Sequence, residues 1–214
     1  MLLVEERKQI VEFGRKLYRD KLTRGTGGNL SIYNSELQLM AITPSGLAYE
    51  NLKYEDIVVM KLNGEVVEGT LKPSSENPMH RLVYQNRTEF KAMIHTHSTY
   101  AVVLSGLRKP LVAIDYLVAM GGGKDVRIAD YASFGSKELS ANALLAMEDR
   151  CAVLLANHGM NVCAESLETA YSKLEILEFC CELYVKALSA GNPVILDDIE
   201  MEKMVKEFEH YGQK

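Results

Sequence analysis

Two histidines separated by one residue, His95-Thr96-His97, end the apolar run Met93-Ile94. Side chains alternate faces along a β-strand, so residues i and i+2 point the same way, about 6.7 Å apart. Two imidazoles converging from a rigid edge are a pair of metal ligands in want of a third. His158 offers one, where the apolar run Leu154-Leu155-Ala156 gives way to Asn157 and Gly159. Glu76, in Pro73-Ser74-Ser75-Glu76, adds a carboxylate. Three histidines and a carboxylate suit a divalent transition metal such as zinc when one coordination position stays open for chemistry. His80, within a helical segment, and His210, near the C-terminus, read as structural.

Other sites built on a His-x-His pair can be tested against the residues that follow it. A metallo-β-lactamase-like site wants an acid two residues after the pair, where Thr99 stands. A cupin wants a glutamate four or five residues on, where Ala101 and Val102 stand. An amidohydrolase barrel needs a much longer chain than 214 residues. The glycine-rich Arg24-Gly25-Thr26-Gly27-Gly28-Asn29 is neither a Walker loop, lacking Gly-Lys-Ser/Thr, nor a dinucleotide fingerprint, since Leu30 holds the third glycine position. Gly28-Asn29, Ser45-Gly46 and Ser74-Ser75 nonetheless share small residues, exposed backbone N–H groups and hydroxyl or amide donors. Brought together, they would cradle an anion without a cationic side chain.

The elements that must position these groups follow from hydrophobic periodicity. Val4, Ile10, Phe13, Leu17 and Leu22 predict an opening helix. Strands are expected over 29–33 and 37–43, closed by Pro44-Ser45-Gly46, and a hairpin over 57–62 and 65–68 about Asn63-Gly64. Ser74 or Ser75 reads as the N-cap of a helix running to about Gln85. The strand with the histidine pair follows, then a short helix over 100–104, a strand over 111–118 and a helix over 136–147. A strand pair over 152–164 holds His158 at its turn. Leu167, Ala170, Tyr171, Leu174, Leu177, Cys181, Tyr184 and Leu188 form a full apolar stripe at helical spacing, and a last helix covers 199–208. The sum is a single α/β domain with a sheet flanked by helices.

Composition narrows the class. Hydrophobic content of 47% and charged content of 25% are ordinary for a globular protein. A net charge of −5 leaves no basic footprint for nucleic acid. No apolar run approaches a membrane span or a signal peptide. Cys151, Cys163, Cys180 and Cys181 form no C-x-x-C pair and read as reduced thiols of a cytoplasmic protein.

Taken in order, Gly25-Thr26-Gly27-Gly28-Asn29, Ile42-Thr43-Pro44-Ser45-Gly46, Pro73-Ser74-Ser75-Glu76, His95-Thr96-His97, Ala132-Ser133-Phe134-Gly135, His158-Gly159 and Tyr211-Gly212 carry a family resemblance. From residue 25 to 212 the chain resembles the class II aldolase/epimerase family of sugar-phosphate enzymes. The resemblance implies one domain over 1–214, an α/β/α layered sandwich around a central mixed, largely antiparallel sheet. It implies one zinc ion per subunit on His95, His97 and His158, with Glu76 as fourth ligand in the resting site. It implies a phosphate pocket from Gly28, Asn29, Ser45, Gly46, Ser74 and Ser75, with Phe134 and Tyr211 in substrate loops. Tyr116 would serve the aldehyde end of a neighbouring subunit's site within a C4 homotetramer.

The reaction so implied is reversible cleavage of L-fuculose 1-phosphate to dihydroxyacetone phosphate and L-lactaldehyde. Glu76 would move the proton at carbon, and the metal would act as Lewis acid. Asp115 precedes Tyr116 where that aldolase would carry histidine, and related 4-epimerases use an additional acid. A pentulose-phosphate 4-epimerase of the L-ribulose 5-phosphate type is therefore the alternative. Glu76, where epimerases carry aspartate, and the 61-residue step from His97 to His158 favour the aldolase. An inert sugar-phosphate binding module would lack a ligand or the base, and all four candidates are present.

Overall fold

Alternation along the strands splits the apolar residues between two faces, and each face has acquired its own helical cover. The structure, a computed structural model, describes residues 1–208 and 210. Its strands are β1 (Asn29–Asn34), β2 (Leu39–Ile42), β3 (Val58–Met60), β4 (Val66–Glu68), β5 (Ala92–Thr96), β6 (Ile128–Ala129), β7 (Ala152–Leu155) and β8 (Gly159–Ala164). They form one sheet in the order β4-β3-β2-β1-β5-β8-β7-β6. β6 and β7 pair in parallel, and every other pairing among the described residues is antiparallel. The sheet is mixed and largely antiparallel, as expected.

The helices are α1 (Val4–Arg19), α2 (Asn77–Asn86), α3 (Thr99–Gly106), α4 (Lys137–Ala146), α5 (Leu167–Ala190) and α6 (Asp198–Phe208). Ala92 and Ile94 of β5 join Leu30, Val162 and the buried sides of α1, α3 and α5 in one core. Met93, between them, joins Met40, Val153, Cys163 and the buried sides of α2 and α4 in the other. β5 lies between β1 and β8, so its side chains are enclosed on both faces. Glu178 of α5 anchors the chain just beyond β5: its carboxylate accepts from the N–H groups of Tyr100 and Ala101, at 2.7 and 3.0 Å, and from the Ser98 hydroxyl at 2.6 Å. Those N–H groups would otherwise be orphaned at the start of α3.

Three local expectations change. The apolar run 111–118 is not a strand. It makes a single bridge between Leu111 and Val126, then enters a 3-10 helix at Tyr116–Gly121 that Asp115 caps by accepting from the Leu117 N–H at 2.9 Å. Leu111, Ala113 and Val118 are buried in the first core, so burial without ladder pairing produced the run. The N-cap of α2 is Glu76 rather than Ser74 or Ser75. The opening helix ends at Arg19, and Leu22 lies beyond it, where its carbonyl accepts from the Thr96 hydroxyl. All four cysteines are buried free thiols. Among the described residues, no helix is long and apolar enough to cross a membrane.

Candidate metal centre and anion pocket

His95 shares the face of β5 occupied by Met93 and meets Glu76 at the start of α2, and His97, one residue past the strand's end, brings its Nε2 to 3.0 Å from that of His95. His158 arrives from the β7–β8 connection. Asn157 there takes a left-handed conformation (φ 54°), and the His158 N–H bonds the Leu155 carbonyl at 3.0 Å. The three rings converge, with centroids 4.7 to 5.0 Å apart and one donor nitrogen from each within 4.8 Å of the others. Gly28 lets the neighbouring segment close in. Its φ is +77°, and a Cβ there would lie 2.6 Å from the His95 carbonyl oxygen.

Glu76 completes the cluster. Its Oε2 lies 3.2 Å from Nε2 of His95 and accepts from Asn29 Nδ2 at 2.9 Å. Its Oε1 is buried without a hydrogen bond, 3.6 Å from Nε2 of His158. The carboxylate stands at the positive end of α2, where a negative charge is favoured. Burial pushes its pKa up, but His95, His158 and the Asn29 bond outweigh burial and hold it below the ordinary carboxylate value.

The placement of hydrogens decides whether this donor set suits a cation. Asn161 directs Nδ2 to the Met79 sulfur, so its Oδ1 accepts from Nδ1 of His95 at 2.8 Å. In a neutral ring, Nε2 of His95 is then a lone pair, 3.0 Å from Nε2 of His97 and 3.2 Å from the Glu76 carboxylate. Acceptors turned toward one another are unfavourable unless something positive sits among them. A divalent transition ion would meet that need: His95, His97 and His158 could hold it, with the Glu76 carboxylate beside them. Replacing Asn161 with leucine, similar in size and unable to accept, is expected to weaken metal binding about 10- to 100-fold. Competition against a chromophoric chelator measures it, with the thermal transition confirming the fold.

Beside the cluster opens a cavity of about 370 Å³, lined by every donor segment singled out in the sequence: Gly28, Asn29, Ser45, Gly46, Ser74 and Ser75, together with Glu76, His97 and His158. What the segments offer differs from expectation. The Ser45 N–H is taken by the Lys72 carbonyl and the Ser74 N–H by the Thr43 carbonyl, so these two N–H groups hold the loops in place. Ser74 Oγ accepts from the Glu76 N–H at 3.3 Å, and the Asn29 amide faces Glu76. Phe134, largely exposed, stands at the cavity beside Tyr131, a residue the sequence did not single out.

Tyr116 is elsewhere. It begins the 3-10 helix, half-exposed, stacked on Phe208 with ring centroids 6.2 Å apart, and lines a separate groove with Leu117, Met120 and Met204. Within one chain it does not reach the imidazoles' cavity. Tyr211 lies outside the described residues. Asn161 was missed as well. The signal available for it was an amide inside the apolar strand β8 (Gly159–Ala164), a buried polar group in need of a partner.

Residues 8–185 match the model of the family described as Class II Aldolase and Adducin N-terminal domain. The 5-deoxy-D-ribulose 1-phosphate aldolase of Bacillus thuringiensis serovar kurstaki is 47% identical over 214 residues, 100% of both chains. The 5-methylthioribulose-1-phosphate/5-deoxyribulose-1-phosphate aldolase of Rhodospirillum rubrum is 40% identical over 206 residues, 96% of this chain and 92% of that one. A solved structure of an L-fuculose 1-phosphate aldolase has a TM-score of 0.94 at 50% identity, covering 96% of each chain.

Proposed function

The chain belongs to the class II aldolase family, and from that premise we propose that it cleaves a methyl-terminated ketose 1-phosphate between C3 and C4. The products are dihydroxyacetone phosphate and a short aldehyde. The observation that carries this reading is the meeting, at one cavity, of a cluster of three imidazoles (His97 and His158 lining it, His95 behind them), a carboxylate with an uncommitted oxygen and the hydroxyl-bearing loops. 5-Deoxyribulose 1-phosphate, yielding acetaldehyde, is the first substrate, supported by the relative that is 47% identical along its whole length. L-Fuculose 1-phosphate, yielding L-lactaldehyde, is the second, supported by the solved structure at 50% identity.

His95, His97 and His158 hold the metal, for which zinc is the proposed ion. When bound, it supplies Lewis-acid stabilisation of the negative charge that develops on the ketose oxygens. The residues do the rest. The loop hydroxyls of Ser45 and Ser75 and the start of α2 receive the phosphate. As the C4 hydroxyl loses its proton, the C3–C4 bond breaks and C4 becomes the aldehyde carbon. Glu76, ionised before substrate arrives, takes up a proton from solvent once substrate is bound and delivers it to C3, while the C4 hydroxyl proton leaves through Tyr116. It recovers a proton from C3 in the condensation direction, acting as general acid and base. Tyr116, remote from the cavity of its own chain, takes the C4 hydroxyl proton in the site of a second copy within a homotetramer. Asp115, which would serve a 4-epimerase, already caps the 3-10 helix.

The test is triose phosphate release from 5-deoxyribulose 1-phosphate, L-fuculose 1-phosphate and L-ribulose 5-phosphate. Release from either 1-phosphate is expected. Inversion at C4 of the 5-phosphate with no triose formed would overturn the proposal in favour of an epimerase.

A further inference from the structure

Glu76, His80 and Tyr84 recur every four residues from the start of α2, so they lie along one stripe of that helix. Their partners, Asn29 and Ser31, are spaced two apart on one face of β1. All five side chains are buried. Together they form a continuous hydrogen-bonded line running inward from the metal cluster, and the proposed mechanism uses only its first member.

The line has a direction, fixed at its outer end. An ionised carboxylate can only accept, so Asn29 presents Nδ2 to Oε2 of Glu76 at 2.9 Å and its Oδ1 to His80. Nε2 of His80, in contact with that Oδ1, must therefore carry the hydrogen. Nδ1 is left as an acceptor and takes the hydrogen of the Ser31 hydroxyl at 2.6 Å. The Tyr84 hydroxyl has one hydrogen, shared between Ser31 Oγ at 2.7 Å and the Ser31 carbonyl at 3.1 Å. Burial, reinforced by His95, lowers the His80 pKa to about 3, so the imidazole stays neutral and its tautomer is the only variable.

A reversed line would turn Asn29 Oδ1 toward the carboxylate, oxygen against oxygen. The geometry points to His80 as a positioning residue: through Asn29 it pins Oε2 of Glu76, leaving the unbonded Oε1 as the oxygen that gives and takes the proton at C3. This rests on the proposed aldol chemistry of Glu76. It gives His80 a part beyond core filling, and gives Asn29 a task other than phosphate binding.

Three variants and two readouts test it: His80→Phe, which cannot donate; His80→Gln, whose amide nitrogen can stand where Nε2 stands; and Ser31→Ala, which frees the tautomer. His80→Phe is expected to lower kcat about 10- to 100-fold with metal content unchanged and KM within about twofold. Solvent deuterium exchange into dihydroxyacetone phosphate, which needs Glu76 and no aldehyde, should fall by the same factor. His80→Gln should recover most of both. Ser31→Ala should show a smaller loss of the same kind, and it decides the matter if His80→Phe does not fold.

The second readout is independent of turnover: ¹⁵N NMR of histidine-labelled, metal-free protein, with His80 assigned by its absence in His80→Gln. An Nε2–H tautomer is expected, and an Nδ1–H tautomer would overturn the inference. So would a folded, metal-loaded His80→Phe with unaltered exchange, or His80→Gln no better than His80→Phe. A wild type that releases no triose phosphate refutes the proposed function instead, and the tautomer then judges His80 alone.

Discussion

Replacing Glu76 with alanine is expected to remove about 10²- to 10⁴-fold of turnover, the range that a positioned general acid or base contributes. About one equivalent of metal per chain should stay bound, because three imidazoles remain. The two halves belong together. The carboxylate has one oxygen tied to Asn29 and one with no hydrogen bond, the arrangement of a group that both leans on a cation and handles a proton. Measuring kcat by triose phosphate release alongside metal content separates the roles. Loss of metal in proportion to activity would make Glu76 an obligatory ligand and remove the case for its acting at C3.

Stripping the metal should be of comparable cost. Lewis-acid stabilisation is worth several kcal/mol, and each 1.36 kcal/mol is tenfold in rate, so chelation is expected to leave less than about one part in 10³ of the activity. Zinc should restore it, and cobalt or manganese should do so in part. Acid should act through the same donors. Burial, with His95 beside them, lowers His97 and His158 to about 4. Neutral imidazole is the form that binds, so a lowered pKa extends binding to lower pH. At pH 6, where a free histidine is mostly protonated, the metal should remain bound, and it should be released as the pH falls toward 4. Equilibrium dialysis across that range tests this. Release already complete at pH 6 would mean that the cluster does not hold the ion, and full activity in metal-free protein would end the mechanism.

Much of the site was legible because its geometry is local. The alternation of a strand is enough to place His95 and His97 on one face, and Gly159 marks the turn that carries His158. Convergence of the donor loops with these ligands was a conjecture from chemistry, and the fold supplies it through pairings that sequence does not display. Asn161 lies opposite His95 across β5 and β8, a registration set by the whole sheet. His80 read as a structural histidine because no neighbour in sequence reveals Asn29 or Ser31. Its four-residue spacing from Glu76 was the visible clue. The run 111–118 failed as a strand for a different reason. Apolar residues record burial, and burial is as well satisfied by a coil under α5 as by a ladder.

β5 carries a further meaning for how the chain reaches this state. Its odd-numbered side chains are Met93 and His95; its even-numbered ones, Ala92, Ile94 and Thr96, belong to the opposite side. A slip of one residue against β1 or β8 would send imidazoles into the apolar core under α5 and bring Ile94 and Thr96 toward Glu76. Such a misfolded form could not chelate, so the ion would bind the correct register and not its competitor. Mass action then draws the population toward the native pairing. The metal that serves the chemistry would also act as an inspector of assembly, accepting chains only after the central strand has been laid down in phase.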